Sequence, residues 1–220
     1  MSRIAIQSVV VAIVSVAASL GLAADFHEGL AAHKRGDYEA ALREWRPLAA
    51  QGDAEAQYRL ARMYYHGEGV KDDAEAANWY RLAAEQGHAK AQNNLALMYE
   101  EGRGVEQDMV AAADWYRRAA EQDLVTAQGN LARLYDQGRG VERDVTEAAR
   151  WYRRAAERGH AMSQYRLGVM YEEGTGVPSD LGRAAKWYRR AAKEGHGPAQ
   201  AAIGAMYAQG RGVPRDMEKA

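Results

Sequence analysis

Residues 91–122 read AQNNLALMYEEGRGVEQDMVAAADWYRRAAEQ, and this stretch sets the reading of the whole chain. Ala91, Leu95, Ala96 and Tyr99 fall at helical spacing and share one face. Gly102-Arg103-Gly104-Val105 interrupts the pattern, and Ala112, Trp115, Tyr116, Ala119 and Ala120 then begin a second amphipathic run. The stretch therefore reads as helix, glycine turn, helix. It also recurs: Trp115, Trp151 and Trp187 are spaced by 36 residues, and Gln92, Gln128, Gln164 and Gln200 keep the same step. A fixed period of this length over most of a chain marks a solenoid of stacked helix pairs.

Comparison of the copies separates framework from variable positions. The first helix repeats an alanine or serine, a glutamine, then Leu60, Leu95, Leu131, Leu167 or Ile203, then a small residue and a tyrosine. Each turn carries Gly-x-Gly-Val, from Gly67 to Val70 in the first copy and from Gly210 to Val213 in the last. The first glycine stands where a helix ends in a left-handed conformation, which glycine adopts without steric cost. No strand precedes these turns and their spacing is not that of a phosphate loop. The valine is expected to fold back onto the helix pair.

Asp72, Asp108, Asp144, Asp180 and Asp216 stand where the second helices begin, as side-chain caps for their first backbone donors. Asp72 with Glu75 and Asp144 with Glu147 have the spacing of capping boxes. Trp79, Trp115, Trp151 and Trp187 are assigned to packing between helices, and the tyrosine after each is left open between packing and an exposed face. Arg81, Arg117 and Arg153 can face Glu85, Glu121 and Glu157 one turn later, which reduces the arginine column to a solvated face. His88, His160 and His196 sit at turns between repeats, a full period or more apart, too dispersed to converge on a metal.

Residues 24–53 form a shorter helix pair broken by Gly36-Asp37, and Pro47 predicts a kink or an early end of its second helix near Arg46. Residues 1–23 begin with a basic start, continue as an uncharged apolar run and end in small residues, the pattern of a signal peptide cleaved after Ala23. The competing reading is a retained membrane anchor. The expected mature chain carries no stable membrane insertion and is periplasmic or secreted. The copies divide as 54–89, 90–125, 126–161, 162–197 and an incomplete 198–220. The last copy stops just after Asp216, and Ile203 and Met206 are the apolar positions expected to need a missing helix or a partner to cover them.

The net charge is −1, with no polybasic block, which argues against nucleic acid as a partner. There is no cysteine. Stability therefore rests on helix packing, for which the many alanines are suited. The serines outside the N-terminal segment, Ser163 and Ser179, lack the Ser-x-x-Lys arrangement of penicillin-recognising enzymes.

The run A-x-x-x-L-A-x-x-Y, then G-x-G-V, then D-x-x-x-A-x-x-W-Y-x-x-A-A resembles the Sel1-like repeat family, a relative of the tetratricopeptide repeats. Ala91, Leu95, Ala96, Tyr99, Gly102, Gly104, Val105, Asp108, Ala112, Trp115, Tyr116, Ala119 and Ala120 carry the resemblance. It covers about residue 54 onward. It implies an all-α, right-handed superhelical solenoid of antiparallel helix pairs, and an adaptor that presents a concave surface to a protein or peptide in the bacterial envelope or outside the cell. Some exported relatives with paired cysteines have been linked to β-lactams, a link weakened here by the absence of cysteine.

The expected function is thus a non-enzymatic scaffold with no cofactor and no metal. The alternatives are a protein binding cell-wall material or another envelope glycan, and a hydrolase-like protein acting on β-lactams. If a concave surface is present, the variable first-helix positions Arg59, Arg62, Asn94, Leu97, Asn130, Arg133, Arg166 and Val169 are its candidate lining.

Overall fold

The computed structural model describes residues 24–218. The expected signal segment, residues 1–23, lies outside the described residues. The described chain contains α1 (Phe26–Lys34), α2 (Tyr38–Ala50), α3 (Ala54–His66), α4 (Asp73–Glu85), α5 (Ala89–Glu101), α6 (Met109–Glu121), α7 (Val125–Gln137), α8 (Val145–Glu157), α9 (Ala161–Glu173), α10 (Leu181–Lys193) and α11 (Gly197–Gln209). No strand occurs among the described residues, and no helix there is long and apolar enough to cross a membrane. The described residues divide into two compact units, the first ending at Asp108 and the second beginning at Met109. Within the first, each helix from α1 to α5 packs on the next; within the second, the same holds from α6 to α11.

The turns follow the expected chemistry and add to it. Gly67, Gly102, Gly138, Gly174 and Gly210 end their helices in the left-handed region, and each cap amide bonds back to the last turn. The second glycine of each turn has a different task. A Cβ on Gly104 would drive into the backbone carbonyl of Asp73, one on Gly140 into that of Met109, one on Gly176 into that of Val145, and one on Gly212 into that of Leu181. Each turn therefore rests directly on the start of the preceding second helix. Val105, Val141, Val177 and Val213 are half-buried, whereas Val70 is exposed.

Aspartate caps form as expected: Asp72 accepts from Ala74 and Glu75 N–H, and Asp144 from Thr146 and Glu147 N–H. The reciprocal half of the capping box is replaced. The Asp72 amide donates to the Tyr64 carbonyl (3.2 Å) and the Asp144 amide to the Tyr135 carbonyl (3.0 Å). Glu147 turns instead to Arg150 at 3.1 Å. The tyrosine carbonyl, left unpaired at the end of the first helix, outcompetes a flexible side chain for the same donor.

Pro47 neither ends α2 nor shortens it; the helix runs on to Ala50. Proline removes only the bond to the Arg43 carbonyl, and Arg43 is exposed, so water can serve that oxygen. Pro47 itself is buried. Ile203 and Met206 are likewise already covered, at 7% and 2% exposure, by packing within their own unit. The exposed positions of α11 are Gly197, Pro198, Gln200, Ala201, Ala205 and Gln209.

The glutamine of each first helix folds back to the carbonyl of an alanine near the end of the preceding second helix. Gln57 reaches Ala49, Gln92 reaches Ala84, Gln128 reaches Ala120, Gln164 reaches Ala156 and Gln200 reaches Ala192, all at 3.0–3.2 Å. Each of these carbonyls also accepts the amide three residues on, so at every step the glutamine adds a second donor to the end of the preceding helix.

His88 and His196 at the inter-repeat turns cap their helices through the side chain, whereas His160 does not. Nδ1 of His88 accepts from the Ala91 amide at 3.1 Å and Nδ1 of His196 from the Ala199 amide at 3.2 Å. His88 thereby keeps its Nε2 proton to donate to Glu55 at 3.0 Å. In the copy lacking histidine, Leu124 makes no side-chain cap, and Asp123 takes the left-handed φ of 62° that glycine adopts elsewhere.

His160 stands 2.7 Å from Ser163 Oγ, and burial lowers its pKa below the ordinary histidine value. Below that ordinary value the unfolded chain binds a proton that the folded ring resists, so stability falls as the pH drops through the interval. The contribution is fully present above the unfolded pKa, about 6.5. Urea midpoints near neutrality should therefore exceed those at about pH 5. A His160→Asn variant should show a smaller drop; an unchanged drop would remove His160 as a source of this dependence.

Candidate interaction face

The second helices supply the aromatic core and part of an exposed face. The tyrosine is the deeper ring of each Trp-Tyr pair: Tyr80 and Tyr116 are 0% exposed, Tyr152 and Tyr188 are 2% and 1%, and Trp151 and Trp187 are buried as well, at 8% and 9%. Trp79 and Trp115 are only half-buried. Three tryptophans are instead covered by arginines one turn later, with Arg118, Arg154 and Arg190 lying 4.5, 4.6 and 4.7 Å from the rings of Trp115, Trp151 and Trp187. Trp151 and Trp187 thus pack as expected, and the tyrosines, left open by the sequence, prove to be packing residues too. Trp45, at the tyrosine position of the first pair, is fully buried, as the register of that position predicts.

The arginine column also pairs differently. Arg46, Arg81, Arg117, Arg153 and Arg189 donate to the hydroxyls of Tyr64, Tyr99, Tyr135, Tyr171 and Tyr207, at 2.9–3.5 Å. Each arginine reaches 18 residues ahead to the first helix of the next pair. Arg81 also donates to Asn78, and Arg117 pairs with Asp114 at 3.5 Å, with Glu121 acting on it only as a further charge. The contacts to Glu85 and Glu157 expected one turn away are replaced, because the tyrosine hydroxyls lie within reach across the helix interface. The constant offset from arginine to tyrosine is present in the sequence, but only stacking makes it a contact.

The buried tyrosines point their hydroxyls toward the first helices, where the eight candidate positions lie. In the first unit, Asn94 on α5 donates to Tyr80 Oη at 3.0 Å. Arg62 on α3 is half-buried and adds a favourable charge near that hydroxyl, although burial is the larger influence and raises the tyrosine pKa. Arg59 is committed to Glu55 at 2.6 Å. The His88 and Arg59 hydrogen bonds hold Glu55 below its ordinary pKa despite the larger opposing effect of burial. Leu97 is half-buried on α5.

In the second unit, Asn130 and Arg133 are half-buried on α7, Val169 is half-buried on α9, and Arg166 on α9 is exposed. Tyr152 lies on α8, which packs against both α7 and α9. Burial pushes its pKa up to about 12, with Asp136 adding to the rise and Arg166 and Arg133 opposing it. Tyr188 donates to Glu172 at 2.7 Å, which together with burial raises its pKa. The structure thus gathers Arg62 with Asn94 around Tyr80, and Arg133 with Arg166 around Tyr152. Asp136, Glu172 and the tyrosine hydroxyls are additional members of the face. Their offsets from the tyrosines are regular, but without the stacking geometry nothing in the sequence distinguishes them from solvated charges.

Among the described residues no cluster of three or more His, Cys, Asp or Glu is placed to hold a metal. The side chains of the face can bind through charge and hydrogen bonds.

A family model described as Sel1 repeat matches residues 54–88, 89–124, 125–160, 161–196 and 197–220. The chain is similar to a solved Sel1 repeat protein from Oxalobacter formigenes, at 39% identity and a TM-score of 0.84, covering 89% of this chain and 81% of that one. It is also similar to c5321, a protective antigen of uropathogenic Escherichia coli strains displaying an SLR fold, at 38% identity and a TM-score of 0.87. That match covers 94% of this chain and 45% of the antigen, so this chain spans less than half of its length. No curated protein matches the chain. Sel1 repeats serve as protein-interaction modules and their family is typically non-catalytic. Five consecutive repeats, the matching fold and the stacked helix pairs together make this chain a member of the Sel1 repeat family.

Proposed function

We propose that this chain is a non-enzymatic scaffold in the bacterial envelope or outside the cell, and that it holds a protein or peptide on the variable face of its first helices. One observation carries the reading. The repeated polar side chains are consumed by the framework, with glutamines on carbonyls, arginines on tyrosines and aspartates on helix starts, whereas Arg62 and Arg166 have no ion pair or hydrogen bond among the described residues. A cation without an internal partner on a face that varies from copy to copy is available to a ligand.

Photo-cross-linkers placed at residues 62 and 166 should yield adducts with an envelope protein, and one placed at exposed Glu85 should not. Arg62→Glu combined with Arg133→Glu should abolish the adducts while helicity by circular dichroism stays unchanged. Adducts at residue 85 alone would overturn the assignment of the face. Loss of the adducts on glycan removal would replace the protein partner with a glycan. Export is tested by cell fractionation of the full chain and of a chain starting at Ala24.

A further inference from the structure

Four places recur along one stripe of the second helices, and the copies fill them differently. On α4 they hold Glu75, Asn78, Leu82 and Glu85; on α10 the same places hold Arg183, Lys186, Arg190 and Lys193. All eight residues are exposed. The two helices between neutralise this stripe from within. On α6 Arg118 pairs with Asp114 at 2.9 Å, and on α8 Arg150 pairs with Glu147 at 3.1 Å. On α4, by contrast, Glu75 and Glu85 form no ion pair among the described residues, and on α10 neither do Lys186, Arg190 and Lys193. Arg183 is the exception, held by Asp180 at 3.2 Å. Glu194, one turn beyond Arg190, forms no ion pair with it. Arg81 and Arg189 stand at one further place, where both donate to tyrosine hydroxyls, so they do not distinguish the two stripes.

The stripe of α4 departs from the others a second time. Leu82 takes the place of Arg118, Arg154 and Arg190, whose guanidinium groups lie 4.5–4.7 Å from the tryptophan rings of their own copies. Among the described residues no cation lies over Trp79. Trp79 is half-buried and Leu82 is 44% exposed, so an apolar spot lies between the two unpaired carboxylates.

We propose that the acidic stripe of α4 receives the basic stripe of α10 from a second copy of this chain. The stripes are opposite in sign, and neither is neutralised within its own helix. Their lengths match as well: Glu75 and Glu85 are ten residues apart, as are Arg183 and Lys193, which is about 15 Å along each helix. Between the carboxylates, Trp79 and Leu82 take the aliphatic stem and cationic head of a lysine or arginine, the group that the other three copies place on tryptophan themselves. The contact sets one helix ridge on another through exposed charges, so it is weak and sensitive to salt. It uses the second helices and does not depend on the partner face of the first helices.

Sedimentation velocity of the full chain over a range of concentrations tests this. The sedimentation coefficient should rise with concentration at low salt and stay at the monomer value at moderate salt. Glu75→Lys with Glu85→Lys, which makes both stripes basic, should weaken self-association about tenfold. Lys186→Glu with Lys193→Glu, which removes the positive charge of α10, should do the same. An equimolar mixture of these two variants should associate again, because each supplies the charge that the other lacks. Circular dichroism of both variants should match the parent chain, and rescue on mixing is what a loss of folding would not produce. A cross-linker at residue 85 should join two copies of this chain, an adduct told by its mass from one with another protein.

A parent chain that stays monomeric at low salt would overturn the proposal, as would association unchanged by the α4 reversal or a mixture that fails to restore it. Loss on reversing α10 alone would mean that its cations meet acids other than those of α4, and the pairing would fall.

Discussion

Replacing Gly140 with alanine is expected to destabilise the chain by roughly 3 kcal/mol or more, in the upper range for a point mutant. Two effects combine. Gly140 has a φ of +71°, which costs an alanine about 1–2 kcal/mol. Its new Cβ would also overlap the carbonyl carbon and oxygen of Met109, and backbone at a helix start cannot swing aside as a side-chain tip can. The turn and α6 must separate, and the contact that seats one helix pair on the previous one opens. Gly138, two residues earlier, offers the control. Its φ is +67°, but an added Cβ would meet the Cβ of Arg143 at 3.0 Å, a neighbour that gives with the exposed loop. Gly138→Ala should cost only about 1–2 kcal/mol. Urea unfolding of both variants measures the difference, and equal losses would mean that backbone conformation alone, rather than close approach, requires the second glycine.

Tyr116→Ala should cost about 3–5 kcal/mol, the range for emptying a large aromatic site in a core. Trp115→Ala should cost less, although tryptophan is the larger residue. Tyr116 is fully buried, so its removal leaves a cavity, whereas Trp115 is half-buried and keeps one side against Arg118. Loss of the tryptophan forfeits a partly solvated contact and a cation–π interaction of about 0.5–1 kcal/mol. Equilibrium unfolding of the two variants gives the order directly. A larger loss for Trp115→Ala would reverse the assignment of the core ring.

Much of the architecture was legible because it depends on local spacing. The helices, the first glycine of each turn and the aspartate caps all involve residues within a few positions of one another, and the period repeats them. The early end expected at Pro47 does not occur, since the cost of a proline depends on whether the freed carbonyl faces water. The arginine pairing was misjudged for a similar reason. Glutamates one turn away compete with tyrosine hydroxyls from the next helix pair, and the nearer residue in sequence is not the nearer in space.

Of the candidate face, the sequence identified variable positions but gave them equal standing. The structure divides them. Arg59 is committed to Glu55 and Asn94 to a tyrosine hydroxyl, while Arg166 is without a partner among the described residues beside Tyr152. Asp136 entered only through the structure, because a lone aspartate near the end of a helix has no signature of its own.

The sequence by itself determined that the chain is built of helix pairs, where the glycine-capped helices stop, and which stripe of each helix is buried, because these follow from steric preference and periodicity along the chain. The tertiary structure alone decided that the tyrosine is the deeper ring of each Trp-Tyr pair, why the second glycine is needed, and which polar groups are left without partners. Those outcomes depend on how closely and at what angle one pair rests on the next, a distance set by packing between residues about 31 positions apart, as at Gly140 and Met109.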